Sequence, residues 1–206
     1  MLRIDNLCKR YGDHRVFQGL TRTFQPGCTA LCEEDSTGKS TLLGILAGAI
    51  APDAGDVWID GHSLIQAPAQ ARARLAYVPD DCGALPSLTG REWLRQAASE
   101  KNAALDDAVL GLAGRLGLEP HLDKRFEQMS TGTRRKVFLT AAALGEPAVV
   151  IADGPGNGLD AAARAVLAEQ FRAWGRDRVV IFASHDPELV RACGATPVRV
   201  ATLRPA

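Results

Sequence analysis

The chain has 206 residues, which is enough for one domain with a sizeable buried core. Hydrophobic residues make up 46% of it and charged residues 23%, and the 24 basic side chains balance the 24 acidic ones. A balanced charge provides no overall field to attract nucleic acid, so we expect no nucleic-acid partner. The N-terminus lacks a signal peptide's apolar stretch, and the longest apolar run, 42–51, falls far short of the ~20 residues that span a bilayer.

The cysteines are odd in number and scattered: Cys8, Cys28, Cys32, Cys82 and Cys193. Cys28 and Cys32 have a spacing found in half of a metal site, but no second Cys or His pair follows at ligand spacing. We therefore predict structural thiols in a reducing compartment.

Short apolar segments alternate with helical patterns along the chain. Residues 16–24 alternate loosely and end at Pro26-Gly27, which indicates antiparallel strands at the start. Residues 28–32 are typical of a buried strand, and 42–47 of a helix that ends before Pro52. Further strands are predicted at 56–60, 75–78, 148–152 and 179–183, with a weak final strand at 198–203.

Between these strands, residues 88–144 have a helical pattern broken at Gly117 and Pro120. Alternating strands and helices predict an α/β fold with a mainly parallel sheet and flanking helices. The helical block is expected to be a subdomain inserted into the core.

Gly38-Lys39-Ser40 lies where a strand meets a helix, as a phosphate-binding loop requires. Backbone N–H groups and the helix N-terminus attract phosphate oxygens there. Lys39 would reach the β- and γ-phosphates, and the Ser40 hydroxyl would face Mg²⁺. The same triplet also occurs by chance at ordinary helix starts.

A second segment supports the phosphate-binding interpretation. The apolar run Val149-Val150-Ile151-Ala152 ends in Asp153, the form of a Walker B aspartate that holds Mg²⁺. By itself this could be a strand that ends in a turn-forming Asp.

Together with five further segments, these two resemble the ABC ATPase family over nearly the whole chain. Met129-Ser130-Thr131-Gly132-Thr133 resembles the family signature, and 155–160 resembles the D-loop. Three more matches are the adenine-stacking aromatic at Tyr11, the Q-loop at 77–80 and the switch histidine at His185. All seven occur in the family's order.

The resemblance implies a P-loop NTPase core with an N-terminal antiparallel β subdomain and an inserted helical signature subdomain. It implies a single domain over 1–206, with the core at about 1–78 and 146–206 and the insert at 79–145. It also implies ATP and Mg²⁺ as ligands. The implied ATP-binding residues are Tyr11, Ser36, Thr37, Gly38, Lys39, Ser40 and Thr41, and the implied Mg²⁺ ligands are Ser40, Asp153 and Asp80. His185 would be the switch histidine, and Ser130 and Gly132 would contact the nucleotide of a partner in a head-to-tail dimer.

Departures from the family pattern cluster around the nucleotide. Glu33 and Ser36 stand where the family has Gly, and three consecutive acids begin at Glu33. Gly154 replaces the Glu that positions the attacking water, and Asp80 replaces Gln. Because general-base assistance is worth ~10²–10⁴-fold in rate, we expect weak hydrolysis. Glu33 would place an extra negative charge close to the triphosphate, so we expect MgATP binding to be weakened but not abolished.

The resemblance therefore predicts the ATP-binding subunit of an ABC transporter, more in keeping with an exporter. Its expected partners are a second ABC ATPase subunit, identical or not, and an integral membrane permease that would hold it at the cytoplasmic face. The chain could be the degenerate half of a heterodimer, a slow homodimer or a drifting relic. The alternatives in function are a non-hydrolysing regulatory or assembly protein and, less favoured, a P-loop kinase.

Overall fold

A computed structural model describes residues 1–32 and 37–203 of the chain. The first half contains β1 (Leu2–Tyr11), β2 (His14–Phe24), β3 (Gly27–Leu31), α1 (Lys39–Leu46), β4 (Ala54–Ile59), β5 (His62–Ser63), α2 (Pro68–Ala73) and β6 (Leu75–Val78). The second half contains α3 (Gly90–Glu100), α4 (Asp107–Arg115), α5 (Thr131–Ala141), β7 (Val149–Asp153), α6 (Ala161–Trp174), β8 (Val179–Ala183), α7 (Pro187–Ala192) and β9 (Thr196–Val198). Short 3-10 helices cover Glu119–His121, Phe126–Gln128 and Val200–Leu203.

The N-terminal strands form an antiparallel sheet in the order β2-β1-β4-β5. Strand β1 pairs with β2 from Leu2 opposite Phe24 to Tyr11 opposite His14. The prediction of antiparallel strands at the start of the chain is confirmed. This hairpin places Tyr11 at the end of its strand, where 51% of the residue is exposed.

The second sheet is parallel, in the order β6-β7-β8-β3-β9. Its register aligns Leu31 of β3 with Ala183 of β8, and Ala183 with Asp153 of β7. Because all these strands run in one direction, the segments that follow them meet at one edge of the sheet. That edge is where open α/β sheets bind ligands.

Strand β7 shows how the two sheets and the helices share a core. Val149 and Ile151 pack with α1 and the antiparallel sheet, whereas Val150 and Ala152 pack with α3 to α6. Side chains alternate across a strand, so an uninterrupted apolar strand buries both of its faces. The predicted mainly parallel sheet with flanking helices is confirmed.

Helices α3 to α5 lie between β6 and β7, within the predicted helical block. Thr89 begins α3 by a reciprocal cap, in which its side chain accepts from the Glu92 amide and the Glu92 carboxylate accepts from the Thr89 amide at 2.8 Å. Within residues 1–32 and 37–203, no helix combines the length and the apolar character needed to cross a membrane.

The predicted strand at 198–203 is wrong. Strand β9 covers only Thr196–Val198, and Val200–Leu203 is a 3-10 helix. Side chains three residues apart lie on one face of a 3-10 helix, and Val200 and Leu203 are both buried in the core. The three-residue spacing of Val200 and Leu203 therefore fits a helical turn and not a strand. The helix predicted at 42–47 begins earlier, at Lys39, while α2 and β5 were not predicted.

The five cysteines are free thiols, of which Cys82 and Cys193 are buried. Burial raises the pKa of the Cys193 thiol to about 12 and that of Cys82 to about 11. Thiols with such pKa values are poor nucleophiles at neutral pH.

Lys101, which caps the C-terminal end of α3, is half-buried and carries an ammonium group. Its Nζ donates to the Leu75 carbonyl at 3.1 Å and to the Leu144 carbonyl at 3.2 Å, which ties the helical block to the sheet. Burial lowers the pKa of this group to about 8, below the ~10.4 of a solvated lysine. Between these two pH values the unfolded chain binds more protons than the folded chain, so stability rises with pH.

We therefore expect the free energy of unfolding of the wild type, relative to Lys101→Met, to increase between pH 8 and 10. The slope is at most about 1.4 kcal/mol per pH unit. Urea titrations at several pH values measure it. Lys124→Met, at an exposed lysine, is the control and should follow the wild type. Parallel pH curves for the wild type and Lys101→Met would contradict the expectation.

Candidate functional site

The loop between β3 and α1 is built around Gly38. This residue has φ +94°, and a Cβ there would lie 2.7 Å from Val16 Cγ1, so both the backbone and the packing require glycine. Lys39 follows with only 7% of its surface exposed. The predicted site residue Ser36 and the anomalous Glu33 lie outside the described residues.

Ser40 and Asp153 meet at the sheet edge. The Ser40 hydroxyl donates to the Asp153 carboxylate, which is 7% exposed. Burial raises the pKa of this carboxyl, and the Ser40 hydrogen bond offsets part of the rise. A hydroxyl beside a carboxylate is the hard oxygen donor set that Mg²⁺ prefers, so these residues fit the ion.

Tyr11 lies beside the phosphate loop. A cavity of about 250 Å³ is lined by Tyr11, His14, Val16, Gly38, Lys39, Ser40 and Thr41. The aromatic ring from the first hairpin and the loop from β3 therefore share one concave surface. His14 was not predicted here, because its place follows from pairing with Tyr11 across the hairpin.

Arg135 is the largest site residue that the sequence analysis missed. It is 1% exposed and reaches from α5 under the ends of β6 and β7. Its Nη1 donates to the carbonyls of Asp153 at 3.0 Å and Gly154 at 2.8 Å. Its Nη2 donates to the Asp80 carbonyl at 2.8 Å and to Asp80 Oδ1 at 3.2 Å. One guanidinium thus fixes the Q-loop against the end of the Walker B strand.

The residue after Asp153 has an unusual backbone. Gly154 has φ +53°, in the left-handed region that favours glycine. A Cβ at this position would lie 2.4 Å from Asn157 Nδ2 and 3.1 Å from Asp80 Oδ1. The space for a side chain at 154 is therefore bordered by two polar groups.

The signature segment begins α5. Ser130 is the N-cap residue, and its Oγ accepts from the Thr133 amide at 3.2 Å. Gly132 packs against the D-loop so closely that a Cβ would lie 2.1 Å from the Gly158 carbonyl oxygen. Lys136 Nζ also binds Asp160 Oδ2 at 2.8 Å, which adds a second link between α5 and the D-loop.

His185 is exposed just beyond β8 and borders two further cavities. One, of about 280 Å³, also touches Gly156 and Asn157 of the D-loop. The other, of about 710 Å³, also touches Thr37 of the phosphate loop and Arg191 and Arg199. His185 therefore lies between the phosphate loop and the D-loop.

A scan against family models matches residues 18–157 to the ABC transporter family. The chain belongs to the ABC transporter family. Most of the motifs that the sequence analysis used fall within this match; Tyr11 and His185 lie outside it.

Individual relatives agree with this assignment. The chain is 30% identical over 207 residues to the ABC transporter ATP-binding protein YxdL of Bacillus subtilis (strain 168), covering 94% of this chain and 80% of that protein. It is 31% identical over 214 residues to the phospholipid-transporting ATPase ABCA3 of Mus musculus, covering 98% of this chain. It spans only 12% of that protein, and 62% of a Nod factor export ATP-binding protein of Paraburkholderia xenovorans (strain LB400).

Solved structures agree as well. The ATP-binding subunit of an ABC transporter superposes with a TM-score of 0.84 and 27% identity, covering 97% of this chain and 86% of the other. The ATP-binding cassette MJ0796, a dimer bound to ADP and phosphate, gives 0.81 at 20% identity, covering 93% and 91%. This ABC chain therefore has a nucleotide-binding domain fold, and the family binds ATP.

The predicted site residues of this ABC domain fall into two groups. One group is connected through shared cavities, hydrogen bonds or the Arg135 guanidinium: Tyr11, Thr37, Gly38, Lys39, Ser40, Thr41, Asp80, Asp153, Gly154 and His185. Ser130 and Gly132 lie at the start of α5, and neither lines the cavity beside Lys39 among the described residues. Within that part of the chain no cluster of three or more His, Cys, Asp or Glu side chains is placed to hold a metal.

Proposed function

We propose that this chain binds ATP between Tyr11 and the phosphate loop and couples the binding to transport through a separate membrane permease. The observation that carries the proposal is the buried Lys39 beside the Ser40–Asp153 pair, in one cavity with Tyr11. An aromatic face, a cation and a hydroxyl in one cavity are the groups that would complement the adenine ring, the phosphates and the Mg²⁺ of a nucleotide.

The residue roles follow from this placement. Tyr11 stacks on adenine, residues 36–41 bind the phosphates, and Ser40 and Asp153 hold Mg²⁺, with Asp80 as a third candidate ligand. When bound, Mg²⁺ neutralises charge on the β- and γ-phosphates. Lys39 adds a fixed positive charge, and the N–H groups at the start of α1 point toward the phosphate oxygens.

Hydrolysis is proposed to be slow. Glycine at 154 provides no carboxylate to orient water, an effect worth ~10²–10⁴-fold in rate. Glu33 adds negative charge to the phosphate loop, which weakens ATP binding without abolishing it. His185, at the edge of the site, would act as the switch histidine.

The proposed assembly is a head-to-tail pair of ABC ATPase subunits. Ser130 and Gly132 would contact the nucleotide held by the partner chain. The MJ0796 cassette, which shares the fold, is itself dimeric. Of the three possibilities for the pair, a heterodimer with a more active partner accounts best for an intact signature beside an altered position 154. The whole domain would be residues 1–206, with the core at about 1–78 and 146–206 and the helical insert at 79–145, held at the cytoplasmic face by the permease.

A binding assay tests the proposal directly. Isothermal titration with MgATP should show one site per chain, and Lys39→Met should weaken it at least ~10-fold because a charge-assisted phosphate contact is lost. Lys124→Met, at an exposed lysine, should bind as the wild type does. If Lys39→Met bound MgATP as tightly as the wild type, the nucleotide would have to bind somewhere other than this loop.

A second candidate function is favoured by the missing carboxylate at 154. A protein that senses ATP by dimerising needs to bind ATP between two chains but does not need to hydrolyse it. Purification from native membranes separates the two functions: an integral membrane chain in the complex supports the transporter, and a complex of soluble chains alone supports the regulator.

A further inference from the structure

Two groups border the space where a side chain at 154 would begin. The carboxylate oxygen Oδ1 of Asp80 lies 3.1 Å from the position of a Cβ on Gly154, and Asn157 Nδ2 lies 2.4 Å from it. Asp80 thus brings a carboxylate from the Q-loop to the space where a side chain at 154 would begin.

Asp80 is held at this position from two sides. Arg135 Nη2 donates to Oδ1 at 3.2 Å, and Asn157 Nδ2 approaches the same oxygen at 3.4 Å. Arg135 is itself anchored on the carbonyls of Asp153 and Gly154, so the carboxylate is fixed relative to the end of β7. A group oriented in this way loses little entropy when it binds a reactant.

The Asp80 carboxylate is also available to water. Both contacts fall on Oδ1, while 63% of the side chain is exposed. A carboxylate has about four lone-pair sites, so Asp80 can accept a further hydrogen bond without breaking either contact.

We propose that Asp80 orients the attacking water in this chain, in place of a carboxylate at 154; this rests on the proposed ATP-binding function. Asp80 accepts a hydrogen bond from the water, whose oxygen forms a bond to the γ-phosphorus. The bond from that phosphorus to the β–γ bridging oxygen breaks, its electron pair leaves with ADP, and both water protons end on the inorganic phosphate. Asp80 is unchanged at the end of the turnover.

The test is a double-mutant cycle. Asp80→Asn removes the charge in the wild type and in a second background, Gly154→Glu with Asn157→Ala, which provides a carboxylate at 154 and removes the amide that a Cβ there would meet. ATPase kcat and the Kd for ATP, with and without Mg²⁺, are measured for the four proteins. Asp81→Asn, at the neighbouring exposed carboxylate, is the matched control.

We expect Asp80→Asn to lower kcat about 10–100-fold in the wild type. In the second background Asp80→Asn should lower kcat less than ~3-fold, and the Kd for ATP should change little in either background. An equal loss in both backgrounds, together with a lost Mg²⁺ dependence of binding, would make Asp80 a metal ligand only and overturn the inference.

Other outcomes are decided by the wild-type background alone. Turnover of Asp80→Asn equal to that of Asp81→Asn overturns the inference even if the second background does not fold. ATP binding without any turnover in the wild type overturns it as well, and leaves the proposed binding function in place. Absence of ATP binding by the wild type overturns the proposed function itself.

Discussion

Replacing Arg135 by Met is expected to destabilise the chain by about 3 kcal/mol and to disorder the Q-loop. The guanidinium donates to three backbone carbonyls and one carboxylate, and the residue is 1% exposed. Methionine fills much of the same volume but leaves the buried Asp153 carbonyl and the half-buried Gly154 carbonyl without these donors. An unsatisfied buried acceptor costs about 1–3 kcal/mol.

One feature of Arg135 lowers its net contribution. Its Nε has no hydrogen-bond partner among the described residues, so part of the cost of burying the cation is not recovered. The free energy of unfolding of Arg135→Lys should lie between those of the wild type and Arg135→Met, because lysine keeps the charge but loses the planar guanidinium.

Urea unfolding monitored by circular dichroism measures these differences, with an unchanged m-value as the check on two-state behaviour. Arg134→Met is the matched control on the same helix, since Arg134 Nε makes a single hydrogen bond, to the Phe126 carbonyl at 2.9 Å. We expect it to cost about 1 kcal/mol. Equal losses of unfolding free energy in Arg134→Met and Arg135→Met would show that the Arg135 hydrogen bonds to Asp80 and the end of β7 add no more stability than the single hydrogen bond of Arg134.

Arg135 also marks a limit of prediction from sequence. Arg134, Arg135 and Lys136 form a basic run after the signature, and such runs are usually solvated. Helical periodicity puts only one of the three under the sheet edge, and which one depends on how α5 crosses the ends of β6 and β7. Arg135 is buried, while Lys136 reaches the exposed Asp160 instead.

Other parts of the fold follow directly from local patterns. The apolar run 148–152 predicts a buried strand, and the structure has β7 at Val149–Asp153 with every residue buried. Gly38-Lys39-Ser40 predicts the place where a strand meets a helix, and α1 begins at Lys39, earlier than the predicted start at Leu42. Such segments are predictable because one interaction, burial or backbone conformation, dominates them.

The last segment was mispredicted because two interpretations share one pattern. Apolar residues at 198, 200 and 203 fit a weak strand, and they also fit a short turn with Val200 and Leu203 on one face. The structure has the turn, since β9 already ends at Val198, where it pairs with Leu31. The choice depends on the sheet edge, which is remote in sequence.

The close contact between the signature and the D-loop carries the second large effect. A Cβ on Gly132 would lie 2.1 Å from the Gly158 oxygen and 3.0 Å from its carbonyl carbon. Both atoms belong to the backbone, so a rotamer change cannot relieve the overlap; α5 or the D-loop must shift. Forced overpacking of this kind costs about 1–3 kcal/mol. Gly132→Ala should therefore destabilise the chain, although alanine favours helix over glycine by about 1 kcal/mol.

Gly111 in α4 provides the matched control for this substitution. It is also a helical glycine, but a Cβ there meets no atom within 4 Å. Gly111→Ala should stabilise the chain by about 0.5–1 kcal/mol, so the two variants are expected to change the urea midpoint in opposite directions. If Gly132→Ala also stabilised the chain, the D-loop would have to yield without cost. Light scattering would then measure the proposed ATP-driven dimerisation of the Gly132→Ala variant. A loss of dimerisation would show that Gly132 is needed chiefly for the nucleotide of the partner chain. If Gly132→Ala were destabilised but still dimerised, glycine would be required for the contact with Gly158 of the same chain.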